Sequence, residues 1–360
     1  MKLKLKRPFR SSRPENGGRD PERVEALVAG RSALESIELL TAANRERRDP
    51  EVERRLVRAR HEAFSELDRA VPATAAPEMK SEASSAGTAA LSTNGGLPEV
   101  TAGALDAEVV RAGLLGHGSL IVRGLASPER AAGLRAGLDE TFERRDAHVG
   151  AGPRPPASSW FEPFEPGPGY AFDGPKWNRM KRGGGSVWAP DSPRMLFELL
   201  EAFEEAGLPA LVTDYLGERP ALSMHKSVLR RVSPDTGTDW HQDGAFLGEG
   251  IRTLNIWLAL TPCGRDAPGL DVVPRRLELV ETGTEGAIFP WAVSPAMVEE
   301  LTGGAPPPRP LFEAGDAILF DHLCLHRTAT EPEMTNDRYA TETWCFAPSA
   351  YPGKQVPLVL

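Results

Sequence analysis

An excess of cationic residues, closely spaced cysteines and long apolar runs are all missing from this 360-residue chain, and each absence removes a class of function. Lys and Arg number 42 against 51 Asp and Glu, for a formal net charge of −9, the wrong sign for nucleic acid or an anionic membrane surface. The three cysteines, Cys263, Cys324 and Cys345, are odd in number and far apart, which excludes a disulfide framework or a zinc knuckle and points to a reducing compartment. No apolar stretch approaches the roughly 18 residues that a membrane helix needs. The basic start MKLKLKRPFRSSRPENGG leads into no apolar segment, so the expected location is the cytoplasm and the expected partner a small molecule.

What the sequence does hold is enough for a sizeable core, with 40% hydrophobic residues. Residues 1–70 read as a charged helical extension. Val24, Leu27, Leu34, Ile37 and Leu40 recur at helical intervals, and a break near Asp49-Pro50 predicts two helices. Such an arm reads as a solvated appendage or as the contact of a homo-oligomer. Residues 71–100 read as a flexible linker, because the Ala, Ser, Thr and Gly tract PATAAPEMKSEASSAGTAALSTNGG has almost no large side chains to bury. The remaining 101–360 form the main body.

The body opens with a strand at Ser119–Val122 and a helix that starts at Ser127-Pro128, a hydroxyl cap followed by a residue with no N–H to satisfy. A second Ser-Pro start at Ser192-Pro193 leads a stripe of Leu196, Leu199, Leu200 and Phe203 that reads as core. Between them, the aromatic-rich stretch with Trp160, Phe161, Tyr170 and Trp177 has no periodicity and reads as a lid or binding loop. After Gly217 the segments ALSMHKSVLRRV, RTLNIWLAL, GLDVV, AILF and YATETWCF, divided by Gly, Pro, Asp and Thr, predict a mainly β jelly roll with flanking helices.

Chemistry concentrates in DWHQDGAF. On a strand, His241 and Asp243 would share a face and aim an imidazole and a carboxylate at one point. Downstream, FEAGDAILFDHLCLHRTATEPEMTNDRYA offers a second imidazole after a strand, then Arg338 at the start of another. Two histidines and a carboxylate make the facial triad of non-haem Fe(II) oxygenases, which leaves positions for an oxo acid and dioxygen. An arginine supplies a bidentate fork for a distal carboxylate. Periodicity alone does not choose between His322 and His326, which share parity if the strand runs on unbroken.

The WHQD, GLDVVP and GDAILFDHLCLHRT segments resemble the phytanoyl-CoA dioxygenase family, a branch of the Fe(II)/2-oxoglutarate-dependent oxygenases, from about Gly116 to Phe346. The resemblance implies a double-stranded β-helix and His241, Asp243 and His326 as iron ligands. It sets Trp257 against the 2-oxoglutarate co-substrate, Arg338 on its distal carboxylate, and Thr328 as a hydroxyl partner of the same group. It favours His326 over His322, since Arg-Thr follows it and Arg338 comes at the family's short interval. One departure is clear: where the family has a Pro-Gly-Ser-His turn, this chain reads VVPRRLEL, with Arg275 and Arg276 in place of glycine and serine.

By that resemblance the reaction consumes dioxygen and 2-oxoglutarate, yields succinate and CO2, and oxidises a small molecule. Asp243 excludes the halide that halogenating relatives bind in place of a carboxylate, so hydroxylation or a desaturation-type oxidation is expected. A cupin-like metal isomerase would use the same ligands without need of Arg338, and a non-catalytic scaffold would need no triad. The basic cluster Lys176, Arg179, Lys181 and Arg182 reads as a solvated face or as a contact for an acidic substrate.

Overall fold

The Val-, Ile-, Leu- and Thr-rich segments after Gly217 become strands, as their branched side chains and intervening breakers dictate. The computed structural model describes residues 20–67, 87, 91–94, 96–150, 158–167, 169–170 and 185–360. Among the described residues the strands are β1 (Ser92–Asn94), β2 (Leu97–Thr101), β3 (Ser119–Arg123), β4 (Ser186–Trp188), β5 (Ala221–Val232), β6 (Thr253–Ala259), β7 (Gly269–Val272), β8 (Ala317–Phe320), β9 (His326–Ala329), β10 (Arg338–Phe346) and β11 (Pro357–Val359). A large sheet runs β1-β2-β3-β8-β6-β10-β5-β11, with β4 also on β5, and a small sheet pairs β7 with β9. This is the sheet-rich jelly roll that the sequence predicts, with helices along its flank.

The described helices are α1 (Pro21–Val28), α2 (Ala33–Glu46), α3 (Pro50–Glu62), α4 (Ala107–His117), α5 (Pro128–Gly150), α6 (Pro193–Glu205), α7 (Leu208–Leu216), α8 (Gly244–Leu247) and α9 (Pro295–Leu301). The helices α4 to α7 and one face of the large sheet share a core that includes Leu114, Leu138, Leu199, Phe203, Leu229 and Leu319. The Ser127 hydroxyl caps α5 by accepting from the Arg130 N–H at 3.2 Å. Ser192 does not cap α6; its hydroxyl bonds that of Thr141 at 3.0 Å and ties α6 to α5 instead.

The other face of the large sheet looks toward the small sheet. Trp257, Ile318, Phe320, Ala340 and Trp344 from one side meet Leu270 and Val272 from the other. Register decides which polar groups enter this space. His326 pairs with Val272 and Thr328 with Leu270, so both share the inward face of the small sheet. On β10, Arg338, Ala340, Glu342 and Trp344 alternate inward, with Asn255 and Trp257 beside them on β6.

Three expectations change. The N-terminal arm holds three helices, because the chain also breaks between α1 and α2, where Gly30 has a φ of +73° and Ser32 closes a capping box with Glu35. Nor is the arm a solvated appendage: Val28, Ile37, Leu40, Leu56 and Phe64 pack with Phe197 of α6, Ala221 of β5 and Val359 of β11. Finally, the linker does not reach residue 100. Leu97 and Val100 are buried, and β2 pairs in parallel with β3, so the last residues of that stretch are sheet.

The aromatic stretch after α5 is also anchored where it is described: Phe161 is buried in the helix-side core and Tyr170 packs edge-on to His61 at 4.8 Å. Trp177 and the basic cluster Lys176, Arg179, Lys181 and Arg182 lie outside the described residues, as do residues 71–86, 88–90 and 95 of the linker. Among the described residues no helix is long and apolar enough to cross a membrane.

Candidate metal centre

His241, Asp243 and His326 come together: their ligand atoms all lie within 4.8 Å of one another. His326 opens β9, and His241 lies alongside it in an isolated antiparallel bridge, each backbone N–H donating to the other's carbonyl at 3.0 and 3.1 Å. The imidazole centroids are 4.6 Å apart. Asp243 leads into α8, so the pair converges through a strand-to-helix turn rather than through strand parity alone. His326 Nε2 is 3.7 Å from Asp243 Oδ2.

Both imidazoles are set for coordination by their other nitrogen. His241 Nδ1 lies 2.8 Å from the Asp239 carbonyl and His326 Nδ1 3.1 Å from the Cys324 carbonyl. A carbonyl only accepts, so each Nδ1 carries a proton, which leaves each Nε2 as the nitrogen available to a metal. Burial, reinforced by His326, pulls His241 down to about 4, which keeps it neutral at physiological pH. Burial opposes ionisation of Asp243, but Lys226 above all outweighs it and holds the carboxyl below its usual range. Lys226 donates to Asp243 Oδ1, which leaves Oδ2 toward His326. Two imidazole nitrogens and one carboxylate oxygen suit a divalent transition metal.

His322 stands apart from this cluster. The strand does not run on: β8 ends at Phe320, a turn follows, and β9 starts only at His326. The carbonyl of His322 accepts from Gly244 N–H at 2.9 Å, and its Nδ1 is buried without a partner. This packing also explains the glycine after Asp243. A Cβ at Gly244 would press into Val280 and lie 3.1 Å from the His322 carbonyl oxygen.

Gln242, between the two ligand candidates, is fully buried and works as a staple. Its Nε2 donates to the carbonyls of Leu279 at 3.1 Å and Leu323 at 2.7 Å, and its Oε1 accepts from Glu281 N–H at 2.7 Å. The unusual Arg275-Arg276 turn is held as well. Arg276 pairs with Asp321 at 3.3 Å, and the Arg275 carbonyl packs on Gly118, whose φ of +82° and lack of Cβ admit it.

Arg338 reaches from the large sheet to the small one, where Nη1 donates to the Gly269 carbonyl at 3.1 Å. It is 1% exposed, its Nε has no partner, and among the described residues no carboxylate pairs with it. Burial pulls it down to about 10. Such a group costs several kcal/mol unless an anion meets it. Its guanidinium sits over the Trp257 ring at 5.4 Å, so Trp257 is a wall of the same space. Thr328 lies beside this point, opposite Leu270 and next in register to Gly269.

One polar group was not legible in the sequence. Asn255 is 1% exposed, and both its amide oxygen and its amide nitrogen lack partners. It faces inward two residues before Trp257 and pairs in register with Phe320, whose ring packs on His326 at 4.8 Å. Its parity with Trp257 was the available signal.

Residues 115–335, more than half of the chain, match the phytanoyl-CoA dioxygenase (PhyH) family. No curated protein sequence matches. Among solved structures, EctD from S. alaskensis in its apoform aligns with 16% identity and a TM-score of 0.50, over 68% of this chain and 78% of that one. The same protein with bound Fe gives 15% identity, a TM-score of 0.50 and the same coverage. With 2-oxoglutarate and 5-hydroxyectoine it gives 17% identity and a TM-score of 0.49, over 68% of this chain and 77% of that one. At this identity the two matches with a TM-score of 0.50 speak for the fold alone.

Proposed function

This chain belongs to the phytanoyl-CoA dioxygenase family, and from that premise we propose that it is an Fe(II)- and 2-oxoglutarate-dependent dioxygenase that hydroxylates a small molecule, with formation of succinate and CO2. His241, Asp243 and His326 are the metal ligands in this reading. Arg338 receives the distal carboxylate of 2-oxoglutarate, against Trp257 and beside Thr328. The observation that carries the reading is Arg338 itself, buried and without a counter-anion in the same inter-sheet space as the His-Asp-His cluster. A cupin-like isomerase would have no use for that guanidinium.

Iron, when bound, supplies the activation of dioxygen that couples decarboxylation of the oxo acid to oxidation of the substrate. The chain's part is placement. The Asp239 and Cys324 carbonyls fix both imidazole tautomers. Lys226 holds the outer oxygen of Asp243, which keeps one oxygen for the metal. Asn255 offers a donor and an acceptor to a molecule in the same space. Because Asp243 takes the position a halide would need, hydroxylation is the favoured outcome. The apolar lining from Trp257, Phe320 and Trp344 excludes water.

The three cysteines are buried and free, which fits a cytoplasmic location. The acidic net charge supports a small-molecule partner over nucleic acid or membrane. The apolar faces of α1 to α3 are turned onto the body, so an oligomer through them would have to use their polar sides.

The test uses uncoupled succinate formation, which needs no substrate. Arg338→Lys should raise the half-saturating 2-oxoglutarate concentration by roughly 10- to 100-fold, since the charge survives but the paired hydrogen bonds do not. The maximal rate should change much less. An unchanged half-saturation would remove Arg338 from the co-substrate site.

A further inference from the structure

The outer end of the proposed metal site carries an unusual surface. Among the described residues the exposed large hydrophobics are Phe246, Leu279, Ile288, Phe289 and Leu311. Four of these five lie on α8 or on the 279–291 segment, the one that Gln242 staples to the ligand loop. Their arrangement is ordered. Phe289 stacks on Trp291 at 5.1 Å with the ring planes 4° apart, Trp291 meets Phe246 at 5.5 Å, and both Trp291 and Phe246 stand edge-on to His241 at 5.9 and 6.1 Å. A continuous aromatic surface thus runs from solvent to the imidazole of a candidate metal ligand.

Its inner end is cationic. Lys226 Nζ sits 5.0 Å from the centre of the Phe246 ring and gives one of its three donors to Asp243. Arg230 is beside it in the same inter-sheet space, paired with Glu342 at 2.8 Å. Lys226, Arg230 and Arg338 exceed Asp243 and Glu342 by one positive charge. A divalent metal and the dianionic oxo acid would cancel, so that excess would remain. Glu249 and Glu281 belong to the outer rim, where solvent screens them.

We propose that this surface binds the primary substrate, and that the substrate has a flat aromatic or polycyclic body and a single acidic group. The body stacks on Trp291 and Phe246, and the acidic group meets the free donors of Lys226. An aromatic face left open to water is costly for a protein to keep, and stacking on a planar ligand recovers that area with the geometry that aromatic pairs prefer. The proposal rests on the oxygenase reading for its metal, and a separate measurement below tests that reading by itself.

Binding is measured by calorimetry on the full chain loaded with Mn(II) and 2-oxoglutarate under anaerobic conditions. The probes are 2-naphthoate, the neutral 2-naphthylmethanol and the aliphatic acid decanoate. The expected order is 2-naphthoate tighter than either comparison by about tenfold. Trp291→Ala and Phe289→Ala, checked by far-UV circular dichroism and melting temperature, should each weaken 2-naphthoate by about three- to tenfold. Lys226→Met should erase the preference for the acid over the alcohol. The proposal is overturned if 2-naphthoate does not bind at millimolar concentration, if decanoate binds as well, or if folded Trp291→Ala and Phe289→Ala chains keep wild-type affinity. Uncoupled succinate formation by the wild-type chain, with no probe, reports separately on the oxygenase reading.

Discussion

His326→Ala is expected to strip the metal centre: iron content should fall to background, and uncoupled succinate formation should drop by well over 100-fold. Loss of an outer partner alone typically costs 10- to 100-fold in metal affinity, and His326 is proposed as a direct ligand. Its Nδ1 donates to the Cys324 carbonyl, its Nε2 lies 3.7 Å from Asp243, and its backbone is bridged to His241, so no other imidazole can be brought in without moving β9. His322→Ala should keep iron and most of the activity. That side chain has no place in the cluster, and truncating it removes a buried nitrogen that already lacks a partner. Paired measurements of iron by mass spectrometry and of succinate decide the matter. Retention of iron by His326→Ala together with its loss from His322→Ala would reverse the ligand assignment.

The contrast between these two histidines shows what sequence could and could not supply. The family resemblance, through the Arg-Thr that follows and the interval to Arg338, favoured His326, but parity could not separate the two, because it assumes one unbroken strand. The chain instead turns between Phe320 and His326, and that turn depends on long-range partners: the Gln242 amide on the Leu323 carbonyl and Gly244 against His322. Trp257 and Arg338 were singled out by the family resemblance, since position within a strand alone fits plain core packing as well, and the β6–β10 register brings them to one face. Asn255 carried no signal beyond its parity with Trp257, since one amide within an apolar strand has no motif. Its burial without partners identifies it. The aromatic mouth was split in the sequence between DGAF and GAIFPW, some forty residues apart, and no periodicity links them.

Removal of residues 1–67 should leave a chain that aggregates instead of a body that stands alone. The amphipathic stripe in α1 and α2 announced that one face is buried but could not say against what. The partner is the body itself. Deleting the arm would bare Phe197, Ala221 and Val359 together and uncover β11, which is the edge of the large sheet. At present α3 guards that edge: Arg60 donates to the Val359 carbonyl at 2.8 Å, and His61 Nδ1 lies 2.9 Å from the Pro357 carbonyl. An open apolar edge is a template for pairing with other chains. The polar contacts run on across α6, where Arg45 meets Glu201 at 2.7 Å, Arg48 meets Glu198 at 2.8 Å and Arg194 bonds buried Glu53. A milder probe keeps the experiment decisive. Leu56→Ala in the full chain removes a side chain that is 3% exposed and should cost about 2–5 kcal/mol, a large part of the roughly 5–15 kcal/mol that holds a typical domain. The readouts are the melting temperature of that variant and the soluble yield of the truncated chain. A truncated chain that stays monomeric and melts like the full-length protein would return the arm to the role of appendage, and an unchanged melting temperature for Leu56→Ala would point the same way.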